Sequence, residues 1–168
     1  MMRYAPIPSS LYGKLQQITP SRAGGLSYYP CLVELKDGSS NERVYVIPAA
    51  DYLKVWGVYP EEERGKRTIL MADVVDLRES PVRLPPVFAD ELYAAGESGM
   101  GYCTFRVRYR NGTVRSYVTG GAVDFIPFPT GLGAADVSGV EPNQGRGDTA
   151  MSGSPYAWCL FDGVEPSL

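Results

Sequence analysis

The chain has 168 residues, a formal charge of −3, 44% apolar and 21% charged residues, three cysteines and no histidine. That length is enough to bury a core, and the acidic balance argues against wholesale binding to nucleic acid or anionic lipid. The missing histidine excludes Ser-His and Cys-His nucleophile pairs and imidazole metal sites within the chain.

With 19 Gly and 14 Pro, short elements and many turns are expected. The first residues, Met1 to Pro8, lack the apolar stretch of a signal peptide, and no later run reaches the ~20 apolar residues of a membrane span. A soluble cytoplasmic chain with reduced thiols is therefore expected, with no membrane attachment. Residues 1–28 form an extension in which Ser9 opens a helix with Leu11, Leu15 and Ile18 on one face, stopped before Pro20. A first β repeat follows over 29–80, then a connecting segment over 81–100. In that segment Pro86 to Ala95 has a helix-opening proline and a closing Gly96. A second β repeat spans 101–142, and 143–168 is a flexible Gly- and Ser-rich loop ending in the apolar strand Tyr156 to Phe161. One compact body is expected. Within the first repeat, 49–68 is ambiguous: Val55-Trp56 reads as buried and Glu61 to Arg67 as an exposed charged loop. Thr68 to Leu77 reads as one central strand.

The two repeats rest on a 72-position echo. Cys31 matches Cys103, Tyr45 matches Tyr117 and Val46 matches Val118, with turns at Asp37-Gly38 and Asn111-Gly112. Ala49 to Leu53 then parallels Ala122 to Ile126, the latter reading as a further strand, and Ala72-Asp73-Val74 faintly echoes Ala135-Asp136-Val137. The expected fold class is mainly β (β-rich α+β): two related small antiparallel sheets or SH3-like barrels from an internal repeat, with one or two short helices.

Asn111-Gly112 between alternating strands implies a two-residue turn. Arg110 then faces Thr113, Tyr109 pairs with Val114, Val107 with Ser116, Phe105 with Val118 and Cys103 with Gly120. This register puts both cysteines on the inner face as inert thiols. It puts Tyr45 and Tyr117 on outer faces, where tyrosines suit an interface. The outer face of the second hairpin gathers Arg106, Arg108, Arg110, Arg115 and Tyr117. Like charges opposite each other require a neutralising acid from the chain or an anionic ligand such as phosphate or nucleic acid. The internal acid is favoured.

Other motifs are weaker. Gly96 to Gly101 lacks the last glycine and the base of a nucleophile elbow and reads as a reversal. Asp73 and Asp76 would point to opposite strand faces, unlike a glycosidase pair. Asp51 and Asp124 read as turn caps, and Arg146-Gly147-Asp148 as a chance tripeptide. No cofactor and no metal are expected. The leading reading is a non-catalytic binding or assembly module with an unknown protein partner or a homodimeric one. Alternatives are anion or nucleic-acid binding through the Arg/Tyr face and a carboxylate-based hydrolase.

Overall fold

A computed structural model of the protein describes residues 3–166. In chain order the elements are β1 (Ile7–Pro8), α1 (Ser9–Gln16), β2 (Ser21–Ala23), β3 (Leu26–Leu35), β4 (Ser40–Pro48), α2 (Ala49–Trp56), β5 (Arg67–Thr68), β6 (Val74–Glu79) and α3 (Pro86–Ala95). They continue as β7 (Cys103–Tyr109), β8 (Val114–Thr119), β9 (Val137–Pro142), β10 (Met151–Ser152), β11 (Ala157–Phe161) and β12 (Val164–Glu165). The protein is β-rich α+β, as the sequence indicates. Helices α1 and α3 lie where the proline and serine signals place them. Among the described residues there are three α-helices, not one or two. The sheets contain parallel pairs, and among the described residues none of the three sheets closes into a barrel.

The chain divides into two compact units. Unit 1 comprises the residues up to Pro20, Leu26–Pro81 and those from Tyr156 onwards; unit 2 comprises Ser21–Gly25 and Val82–Pro155. In unit 1 the strands run in the order β6-β3-β4-β11-β5, with β3 antiparallel to β4 and β6 and with β11 parallel to β4 and β5. Unit 2 has β9-β7-β8-β10, with β7 antiparallel to β8 and β9 and with β10 parallel to β8. Both units therefore place a hairpin between an antiparallel strand on one side and a parallel strand on the other.

The two hairpin turns are built alike. Gly38 N donates to Leu35 O and Leu35 N to Ser39 O, each at 2.9 Å; Gly112 N donates to Tyr109 O at 2.9 Å and Tyr109 N to Thr113 O at 2.8 Å. Gly38 and Gly112 have φ of 88° and 89°. Asp37 and Asn111 each accept the backbone N–H two residues on, at 2.9 Å. This is a turn closed by a glycine bulge, which holds one residue more than the two-residue turn that the Asn-Gly pair suggests. A two-residue type I′ turn needs positive φ at Asn111, and Asn143 is the one non-glycine with positive φ among the described residues.

The bulge moves the register by one. Arg108 faces Val114, Val107 faces Arg115, Arg106 faces Ser116 and Phe105 faces Tyr117. A one-residue slip turns every side chain of β8 to the other face. Tyr117 is therefore fully buried beside Phe105 and Val107, not outward. The 72-position alignment is not reproduced by the ladders: Cys31 faces Val44 as Phe105 faces Tyr117, and Tyr45 takes the place of Val118, not of Tyr117. Both cysteines are nevertheless buried, as is Cys159. Burial raises the Cys103 thiol and pushes that of Cys159 up to about 12, so neither is a thiolate at neutral pH.

Other expectations shift for physical reasons. Ala49 to Trp56 is a helix, with Tyr52 and Ala49 on its buried side and Gly57 closing it at φ 79° through its N–H to Leu53 O. The run from Thr68 to Leu77 is not one central strand. It is divided between β5, which pairs with β11, and β6, which pairs with β3, by a 3-10 turn at Met71–Asp73. A matching turn, Ala134–Asp136, precedes β9. Lys36 N donates to Asp73 O at 2.9 Å and Arg110 N to Asp136 O at 2.7 Å. Residues 122–126 are buried but form no strand.

Each unit has its own core. In unit 1, Ile7, Leu11, Leu15, Val33, Val44, Val46, Leu77 and Phe161 pack together; in unit 2, Leu84, Leu92, Phe105, Val107, Tyr109, Tyr117 and Ile126 do so. No helix among the described residues is long and apolar enough to cross a membrane.

Candidate functional site

The outer face of unit 2 carries Arg106 and Arg108, opposite Ser116 and Val114, with Arg110 in the turn beyond them. Arg115, expected on this face, pairs with Val107 and goes with Tyr117 to the opposite side by the same slip. Arg106 meets Asp148, with Nε at 2.9 Å and Nη2 at 3.4 Å, and Arg108 donates to Glu141 at 2.8 Å. Arg110 Nε donates to Ala135 O at 3.0 Å and Arg115 Nη1 to Val114 O at 3.1 Å. The acids opposite Arg106 and Arg108 thus come from the chain itself. Tyr117 is absent from this face: its hydroxyl lies 2.7 Å from that of Tyr109 and donates to Pro127 O at 2.9 Å inside the core. The hydrogen bonds of Arg106 and then Ser116 hold the Asp148 carboxyl below its ordinary range. Asp148 and Arg146, the ends of the Arg-Gly-Asp tripeptide, both fasten their loop. Arg146 donates to Ser98 O at 2.8 Å, while Ser98 Oγ accepts from Thr104 N at 2.9 Å and bonds Asn143 Oδ1 at 2.5 Å.

The carboxylates considered for chemistry are also engaged. Asp124 is fully buried and accepts hydrogen bonds from Ser21 and, at 2.5 Å, from Tyr93, with Arg83 donating to Ser21 at 3.0 Å. This is a buried polar network within unit 2, not a turn cap. Asp76 is bonded to Lys14, and Asp51 lies in the first turn of α2, 3.9 Å from Lys54. Among the described residues no three His, Cys, Asp or Glu side chains gather as a metal set.

Unit 1 presents a different face. Opposite its aliphatic core, β3, β4 and β11 turn Tyr28, Tyr45 and Trp158 to the other side of the sheet, where α2 adds Tyr52 and Trp56 and Tyr156 precedes β11. Trp158 stacks on Tyr45 with centroids 4.7 Å apart and meets Tyr52 edge-on at 5.0 Å and Trp56 at 5.6 Å. Tyr156 stands edge-on to Tyr45 at 5.0 Å, and Tyr28 to Tyr45 at 5.7 Å. Such offset and edge-to-face pairs contribute about 0.5–1.5 kcal/mol each beyond burial. The tyrosine expected to face outward at position 45 is fully buried because α2 covers this side.

Lys66 reaches into this aromatic face. Its Nζ lies 3.8 Å from the centroid of the Trp56 ring, 5.6 Å from that of Tyr52 and 5.7 Å from that of Trp158. It donates to the Tyr52 hydroxyl at 3.2 Å and stands 3.8 Å from Glu63 Oε2. Its side chain is 17% exposed, so the charged loop read as solvated turns one of its cations inward. Desolvation lowers the ammonium from its ordinary value, opposed by Glu63. The ring quadrupoles favour the charged form as well. The indole N–H groups of Trp56 and Trp158 are buried here without a hydrogen-bond partner. A surface cavity of about 480 Å3 elsewhere in unit 1 is lined by Arg3, Leu53, Tyr59 and Asp162. Arg3 lies flat on Tyr59 at 3.8 Å there, and the cavity sets one acid against one base with no buried charge. The lysine-filled aromatic face is the more specific construction.

Sequence reasoning missed this site. Tyr52 and Trp56 stand one helical turn apart and Tyr156 and Trp158 lie two residues apart at the start of β11, but only the parallel pairing of β11 with β4 brings the two pairs together. Comparison with protein-family models, with curated proteins and with solved structures finds no match.

Proposed function

We propose that the protein is a non-catalytic binding module and that the aromatic face of unit 1 recognises an organic cation. The observation that carries this reading is the seat of Lys66: an ammonium held by three rings and one phenol oxygen, with a carboxylate nearby. Ring faces attract a desolvated cation by about 2 kcal/mol and favour groups that shed water readily, which is the chemistry of quaternary ammonium recognition. The reading extends the binding role expected from sequence and supplies a site for it.

The test is a titration of a Lys66→Met chain with tetramethylammonium, followed by tryptophan fluorescence. Trp56 and Trp158 are both part of the face, and they are the two tryptophans of the chain. The expected result is a saturable change that disappears when Trp56→Ala is added. A linear response of equal slope in both chains contradicts the proposal.

A further inference from the structure

Lys66 is more than a structural cation, and the argument here rests on the cation-binding reading of the same face. A primary ammonium has three N–H donors. In this seat the Tyr52 hydroxyl, at 3.2 Å, is the oxygen within hydrogen-bond distance, and the Glu63 carboxylate at 3.8 Å is beyond it. The rings of Trp56, Tyr52 and Trp158 around the ammonium attract its charge but accept hydrogen bonds poorly. Lys66 has therefore exchanged hydration for a seat that restores one long hydrogen bond, at 3.2 Å. A methylated ammonium of the same charge has fewer donors to satisfy and a weaker hydration shell, so the same rings bind it at lower cost.

The position of Lys66 in the chain suits an occupant that leaves. Arg67 and Thr68 on its C-terminal side are fixed to β11, and Pro60 on its N-terminal side is buried while Glu61 accepts the Tyr4 hydroxyl at 2.7 Å. The backbone on both sides is thus held. Arg64 and Gly65 between them are exposed, and Gly65 has φ of 81°. With the flanking backbone held, release of the ammonium would need only rotation about the four side-chain bonds of Lys66.

We infer that Lys66 is an internal competitor for the aromatic face of unit 1, and that the external ligand is an N-methylated ammonium group, borne by a methylated lysine of a partner polypeptide or by a small choline-like molecule. A ligand that must displace an internal occupant binds more weakly by the fraction of time the seat is free. Removal of Lys66 is therefore expected to tighten binding of a methylated cation about tenfold, within the range of a single ring-held cation.

The experiment compares the intact chain with Lys66→Met and Lys66→Gln in titrations with tetramethylammonium, choline, and peptides carrying unmethylated or trimethylated lysine. Circular dichroism checks the fold of each variant. The expected result is binding in the order Lys66→Met, Lys66→Gln, intact chain, with the trimethylated peptide ahead of the unmethylated one. A trimethylated peptide tighter than tetramethylammonium assigns the ligand to a polypeptide; choline at least as tight as the peptide assigns it to a small molecule. Equal affinity of the intact chain and both variants overturns the competitor role while leaving the cation-binding reading intact. Equal binding of methylated and unmethylated lysine overturns the ligand class. No binding by either variant removes the underlying reading itself. If neither variant folds, the methylene resonances next to Lys66 Nζ in the intact chain decide: added tetramethylammonium should move them from ring-shielded to solvent positions, and an unmoved signal at saturating concentration overturns the inference.

Discussion

The two units use one strand arrangement for different surfaces, and the residues in matching places of their ladders show how. In unit 1 the row Cys31, Val44 and Ala157 faces the core, and the next row, Pro30, Tyr45 and Trp158, faces the other side. In unit 2 the corresponding rows are Phe105, Tyr117 and Met151, then Thr104, Val118 and Ser152. The core rows are largely apolar in both units. The second rows differ: bulky aromatics under a helix in unit 1, small or polar groups in unit 2, with Ser152 exposed. After β4 the chain turns directly into α2, which covers the second face; after β8 it enters Gly120-Gly121 and an irregular segment. Unit 1 thus buries both faces of its sheet, whereas unit 2 leaves one face to arginines paired with Asp148 and Glu141. A fold of this kind specifies one face; the chain leaving the hairpin decides what becomes of the other.

Substitutions at matching places test this contrast. The largest effect is expected at Trp158, which is 1% exposed. Trp158→Ala should cost about 3–5 kcal/mol, whereas Ser152→Ala, at the same ladder position of unit 2, should stay within about 0.5 kcal/mol. Urea unfolding of the two variants checks this, and comparable losses would break the comparison. Next comes Tyr117→Phe, which leaves the Tyr109 hydroxyl and Pro127 O without their shared partner and should cost about 1–3 kcal/mol. An outward tyrosine, as the two-residue turn would have it, would lose almost nothing.

The shared turn predicts equal behaviour. Gly38 and Gly112 have φ of 88° and 89° with open space where a Cβ would lie. Gly38→Ala and Gly112→Ala should each cost about 1–2 kcal/mol from backbone conformation alone, and unequal losses would show that the turns differ. The smallest effect concerns acid. The folded-state value of Asp148 lies below its ordinary 3.8, so the unfolded chain binds the proton more readily and stability is lost as pH falls through the folded value. Thermal unfolding of the intact chain should steepen in its pH dependence there, and Asp148→Asn should flatten it. An identical profile in both chains would remove the carboxylate from the strap over unit 2.

Much of this arrangement is legible from local signals. The Ser9 and Pro86 helix starts, the alternation of Cys103, Phe105, Val107 and Tyr109 toward the core, and the terminal strand around Trp158 all follow from periodicity and caps. The register is less legible, because an Asn-Gly pair fits both a two-residue turn and a bulged turn, and one residue reverses the faces of β8. Helix α2 is hidden because Ala49 to Leu53 is short and apolar enough to suit either element. The candidate site is hardest to read. Lys66 is one charge in a charged run, and nothing local shows that the non-local pairing of β11 beside β4 and the return of α2 build a ring-lined seat for it.

The most direct measurement of the central claim is the 1H–13C spectrum of the intact protein at the methylene groups next to the ammonium of its lysines, Lys14, Lys36, Lys54 and Lys66. With its ammonium 3.8 Å from the Trp56 ring, Lys66 should be the one shifted upfield by ring currents, and Trp56→Ala should return it toward the other three. Four coincident resonances, unchanged by that substitution, would contradict the account.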